Sequence, residues 1–140
     1  MPSLSSIFGT FIACGLLISC GDQNFERMQI CDLSKPGWDK PSPAGYHSTP
    51  LIFVTVSDQN IGWRWEASEL GETLSDSDLR KNLRIVRELA PLPGIILSNG
   101  STKDCSKAKE VQGIIDQELN CSGRHPCGLG SEKEWYREMH

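Results

Sequence analysis

The sequence predicts a small two-layer α+β domain, with helices on one face of a mixed sheet in the order β-β-α-β-α and a short closing strand. Three observations predict it. Two short runs rich in β-branched and aromatic residues follow one another over 51–66, two longer stretches repeat apolar residues at helical spacing, and a proline-led apolar run lies between those stretches.

The first run, Leu51-Ile52-Phe53-Val54-Thr55-Val56, reads as a well-buried strand. Ser57-Asp58-Gln59-Asn60 supplies turn residues. Ile61-Gly62-Trp63-Arg64-Trp65-Glu66 alternates apolar and polar, which puts Ile61, Trp63 and Trp65 on one face of a half-exposed strand and pairs the two runs as a hairpin. Ser75-Asp76-Ser77-Asp78 opens the first helix: Ser75 or Ser77 can accept from a free backbone N–H, and the acids suit the positive end of the helix dipole. Leu79, Leu83, Val86 and Ala90 form its buried stripe, Arg80, Lys81, Arg84, Arg87 and Glu88 its wet side, and Pro91 and Pro93 its stop. Gly94-Ile95-Ile96-Leu97-Ser98 is a further strand, after which Asn99-Gly100-Ser101 turns the chain. A second helix from about Cys105 to Leu119 carries Ala108, Val111, Ile115 and Leu119 on one side. Gly128-Leu129-Gly130-Ser131 supplies the closing strand, and residues 131–140 read as a polar tail.

Ahead of this domain (51–130) lie two segments of different character. Residues 20–50, with Pro36, Pro41, Pro43 and Pro50 and little periodicity, read as a linker that favours extended conformers. Residues 1–19 read as a signal peptide: Leu4 to Ser19 is uncharged and apolar, yet cut by Gly9 and Gly15, and too short for the roughly 20 apolar residues of a comfortable membrane span. Met1-Pro2-Ser3 lacks the positive charge with which export signals normally begin. The segment Leu17-Ile18-Ser19-Cys20 resembles the bacterial lipobox, which implies cleavage before Cys20 and acylation of that cysteine as the lipid anchor. With Gly21 rather than Asp after the cysteine, the same pattern implies a protein facing the periplasm from the outer rather than the inner membrane. The alternative keeps residues 4–19 as an uncleaved anchor in the inner membrane.

Cysteine usage agrees with export. Of six cysteines, Cys14 would leave with the signal and Cys20 would carry lipid, so Cys31, Cys105, Cys121 and Cys127 remain as two disulfides in an oxidising compartment. Cys105 and Cys121 flank one helix, which holds their α-carbons about 20 Å apart, out of bonding reach. Cys121 and Cys127 bracket Ser-Gly-Arg-His-Pro, a loop that can close on itself and leave Cys31 for Cys105; the pair Cys105 with Cys127 stays open as the alternative.

Chemistry finds little purchase. A net charge of −4 with scattered Lys and Arg gives no footprint for nucleic acid. No Gly-x-Ser-x-Gly elbow occurs, and His47, His125 and His140 fall in linker, loop and terminus, so the sequence assigns no catalytic residue and no cofactor. Cys105, Cys121, His125 and Cys127 form the one cluster that invites a metal-binding or enzymatic alternative, although its spacing matches no familiar zinc pattern and an oxidising compartment favours disulfides. Trp63 and Trp65 are candidate partner contacts, by stacking on a sugar or a protein edge; the competing reading has them cover the core beneath the helices. Glu69 and Glu72 read as solvated loop charges.

Over about Leu51 to Leu129 the chain resembles the periplasmic domain of the ExbD/TolR biopolymer-transport family: a hairpin around Ser57-Asp58-Gln59-Asn60-Ile61, a helix opening near Ser77-Asp78-Leu79, a strand at Pro93-Gly94-Ile95-Ile96-Leu97 and a second helix after Thr102-Lys103-Asp104. The resemblance implies contact with an envelope protein or peptidoglycan, with a homodimer among the possible assemblies. Members of that family carry a membrane helix with a proton-coupling aspartate, whereas Leu4 to Ser19 contains no acid, so proton-driven work is not carried over. The cysteines around the second helix are a further departure.

Overall fold

The computed structural model describes residues 31–99 and 105–140; the signal segment, Cys14, Cys20 and the turn at 100–104 lie outside them. A hairpin of β1 (Leu51–Ser57) and β2 (Asn60–Trp65) is followed by β3 (Glu72–Leu74), α1 (Asp76–Val86), β4 (Gly94–Asn99), α2 (Ser106–Glu118), β5 (Cys127–Leu129) and α3 (Glu132–Met139). The sheet runs β3-β2-β1-β4-β5, antiparallel from β1 outward to β3 and parallel from β1 outward to β5. The fold is α+β with a mixed sheet, and the predicted order of elements holds within it.

The continuous apolar run of β1 follows from its central place, since a strand covered on both faces has no wet side on which to alternate. Ile52, Val54 and Val56 join Ile61, Trp63, Ile95 and Leu97 in one core, beneath α1 and α2. Leu51 and Phe53 join Ile96 on the opposite face. The hairpin turn needs only Asp58 and Gln59, with Asp58 in the left-handed region (φ 53°), a conformation that aspartate tolerates better than most residues.

Ser75 caps α1, its hydroxyl accepting the Asp78 N–H at 3.1 Å, and Leu79, Leu83 and Val86 are buried as the periodicity requires. The helix stops at Val86 rather than continuing to Ala90, which is exposed. Pro91 and Pro93 each bias the residue before them away from helical backbone, and the chain unwinds through turns ahead of them. α2 buries Ala108, Val111, Ile114 and Ile115. The two helices lie side by side with like ends together: Lys107 meets Asp76 at 2.7 Å at their starts, and Arg80 and Arg84 meet Glu118 at 3.1 Å toward their ends.

Two segments differ from expectation. The linker between Cys31 and Pro50 is packed into the domain rather than free of it: Cys31, Leu33, Trp38 and Tyr46 are buried. Its polar groups are satisfied there as well. The Trp38 indole N–H donates to Asp116 at 3.0 Å, Lys35 pairs with the same carboxylate at 2.6 Å, and Gln112 donates to the Leu33 carbonyl at 2.8 Å. Asp39 adds a backbone bridge to the outer edge of β5, bonding the Cys127 carbonyl and the Leu129 N–H. Irregularly spaced aromatic anchors make this possible without any regular element.

The tail is not frayed either. Ser131 and Glu134 form a reciprocal capping box that starts α3, and Trp135 is fully buried on the sheet face opposite α1 and α2. Its ring lies against Tyr46, with centroids 4.7 Å apart, and its indole N–H donates to the Leu129 carbonyl at 2.9 Å. Beside it, the Arg64 guanidinium sits over the Phe53 ring and pairs with Glu132, tying β2 to α3. The two expected helices thus share one face, and a third, unexpected one covers part of the other.

Candidate partner-facing cleft

β4 and β5 end side by side, with Leu97 paired to Leu129. The arm at Cys31–Ser34 borders one side of this position and the start of α3 the other, enclosing a cleft of about 540 Å³. Leu33, Pro41, Leu97 and Leu129 make its apolar wall, and Asp32, Lys40, Ser98 and Glu134 its polar rim.

The rim charges are held by local bonds. Asp32 accepts the Ser34 backbone N–H at 3.1 Å, which keeps its carboxyl below the usual carboxylate range. The Ser131 backbone N–H donates to Glu134 at 2.8 Å and lowers that carboxyl in the same way. Both acids are therefore ionised at neutral pH and stand with Lys40 around an apolar floor. Such a cleft can seat an extended apolar side chain and order the polar groups flanking it; none of its lining residues is a histidine, and Cys31 is in a disulfide.

The residues singled out by sequence do not meet in this cleft. Trp63 belongs to the core beneath the helices and Trp65 packs against it half-buried, so the pair makes no exposed stacking platform. Glu69, Glu72 and His47 are exposed, and the His140 ring stacks on Tyr136 at the end of α3. Cys31 is bonded to Cys105 and Cys121 to Cys127. With its thiols in those bonds, the cluster of Cys105, Cys121, His125 and Cys127 offers no thiolate ligand, and among the described residues no group of three or more His, Cys, Asp or Glu is placed to hold a metal ion. The cleft residues Leu33, Lys40, Pro41, Leu97, Leu129 and Glu134 carry no motif. The capping box at Ser131 and Glu134 was the one local signal for its α3 side.

Comparison of the chain with protein-family models, with curated proteins and with solved structures gave no match. Among the described residues no helix is long and apolar enough to cross a membrane.

Proposed function

We propose that this chain is a non-catalytic cell-envelope lipoprotein, exported, tethered through lipid on Cys20, and presenting its domain to an envelope protein or to peptidoglycan. The observation that carries this reading is the pairing of Cys31, Cys105, Cys121 and Cys127 into two disulfides, because those are the four cysteines that export and lipidation would leave. The clamp at Cys31 also sets the reach of the tether. Residues 21–30 lie between the lipid-bearing position and Cys31, a contour of at most about 35 Å. The cleft is lined by Cys31 itself, a position that suits contact with components at the membrane surface in this reading.

An ExbD/TolR-like periplasmic domain is kept as the architectural part of the reading, serving contact in an envelope transport or integrity system without the motor helix; the expected β-β-α-β-α-β order is contained in the observed one, to which β3 and α3 are added. Intact mass of the membrane-extracted protein, with and without reduction and alkylation, tests it. The expected species starts at Cys20, is heavier by acyl groups and exposes four thiols only after reduction. A chain still starting at Met1 and free of acyl mass would overturn lipidation and make residues 4–19 an anchor.

A further inference from the structure

Helix α1 leaves apolar side chains in water beside its buried stripe. Ile85 is 62% exposed, and Leu89 follows it at the surface. The chain keeps turning between them, because the Glu88 and Leu89 N–H groups donate to the carbonyls of Ile85 and Val86. Ala90 and Pro91, next along, are exposed as well. Leu79, Leu83 and Val86 already seat the helix on the sheet, so the fold makes no use of this second strip.

Basic groups frame the strip. Lys81 lies one turn before Ile85 on the same side of the helix and is exposed. Arg80, Arg84 and Arg87 converge on Glu118 at 3.1, 3.1 and 3.5 Å, so one carboxylate answers three guanidinium groups. The Glu118 side chain is 9% exposed, while those of Arg84 and Arg87 are 55% and 46% exposed, so it is the positive charge that faces water. Arg124 lines the same hollow as Arg87 and Glu118, and Glu88 is the other acid there. Asp76 and Asp78 stand at the far end of α1, where Asp76 is taken by Lys107. Five cations against the carboxylates of Glu118 and Glu88 leave a local positive surplus of three, in a chain whose net charge is −4. The packing of α1 beside α2 gathers what is scattered along the sequence.

We propose that this face rests on an anionic lipid surface, with Ile85 and Leu89 entering the headgroup layer and Lys81, Arg84, Arg87 and Arg124 meeting the lipid phosphates. Exposed apolar residues flanked by Lys and Arg on one helix face are the pattern of interfacial helices. Long basic side chains lie along apolar groups while their charged ends reach the headgroups. Charge complementarity selects anionic over neutral lipid, since each surplus cation favours a negatively charged surface by about fivefold. The contact orients a domain already held at the membrane, and it holds equally for a tether through Cys20 and for one through residues 4–19.

The test labels lysines of the membrane-extracted, disulfide-bonded protein with a membrane-impermeant acylating reagent, on vesicles of phosphatidylcholine alone and of phosphatidylcholine mixed with phosphatidylglycerol, read by peptide mass spectrometry. Sedimentation with the neutral vesicles reports the tether, and labelling of Lys81 relative to Lys133 on α3, across the sheet, reports the face. Lys81 should react about fivefold or more slowly on the anionic vesicles, and high salt should restore its rate. Ile85→Glu, at a position the fold leaves in water, should abolish the slowing and leave the melting temperature unchanged. The proposal fails if Lys81 reacts equally fast on both vesicles, if Lys133 slows alongside it, or if Ile85→Glu is protected like the wild type. Soluble polyglutamate that slows Lys81 as much as the vesicles do would assign an acidic polymer in place of lipid and overturn it as well. A chain that does not sediment with neutral vesicles overturns the tether alone, and the Lys81 rate with anionic vesicles in suspension still decides the face.

Discussion

Gly128 lies so close under the indole of Trp135 that a β-carbon on it would come within 2.4 Å of the ring's Cζ2. The ring has nowhere to go, being fully buried and hydrogen-bonded to Leu129. Gly128→Ala should therefore cost about 1–3 kcal/mol by overpacking. Thermal unfolding together with near-ultraviolet circular dichroism reads this out; an unchanged melting temperature would mean that α3 does not press on the sheet as described.

The two disulfides should differ in weight. Cys31–Cys105 joins residues 74 apart and Cys121–Cys127 residues 6 apart. By loop-closure entropy alone, replacing the first pair with serine should cost about 4.5 kcal/mol and the second about 2.4 kcal/mol. Urea midpoints of the two double variants decide it, and equal losses would show that the long loop is already ordered in the unfolded chain.

Acid should weaken the fold in two separate windows. Burial lowers the His125 pKa from its usual 6.5, so the unfolded chain takes up that proton first and stability falls as pH drops below 6.5 toward the folded value. Glu118 is lowered from 4.5 chiefly by the hydrogen bond from Arg84, with Arg80 adding to it, so its share is present above 4.5 and is lost below. His125→Gln should flatten the loss of melting temperature between pH 7.5 and 5.5, whereas Glu118→Gln should leave that interval alone and flatten the fall beneath pH 4.5. A His125 variant that follows the wild-type curve through the upper interval would contradict the burial.

Asp116 anchors the arm through the Trp38 indole and Lys35. Asp116→Ala leaves that indole N–H without its acceptor, a loss of about 1–2 kcal/mol. Hydrogen exchange should report it at the Asp39 amide, which bonds the Cys127 carbonyl. If exchange at Asp39 stays as slow as in the wild type, the arm is held by its disulfide and apolar contacts alone.

The sheet, the hairpin and the first two helices were legible because each has its own periodicity: Leu79, Leu83 and Val86 on one helix, Ile61, Trp63 and Trp65 on one strand face. β3 was not, since Glu72-Thr73-Leu74 is too short to show a period and exists by pairing with β2. The arm and α3 were misread because proline content and polar composition describe the average residue, while Trp38, Tyr46 and Trp135 act singly. One buried tryptophan in an eight-residue helix makes no stripe, though Ser131 with Glu134 marked its start. The cleft was invisible for a different reason. Leu33, Leu97 and Leu129 come from three distant stretches of chain and meet only through the parallel pairing of β4 with β5 and the docking of the arm.

The bond between Cys31 and Cys105 also fixes how the domain bears mechanical load. A pull that enters through the chain ahead of Cys31 and leaves through any residue after Cys105 crosses at the sulfurs and passes straight into the first turn of α2. Strands β1 to β4 and helix α1 all fall between those two cysteines, so they are bypassed and carry no tension along their backbone. A domain wired in this way can be pulled from its amino-terminal side without unzipping the hairpin at its centre.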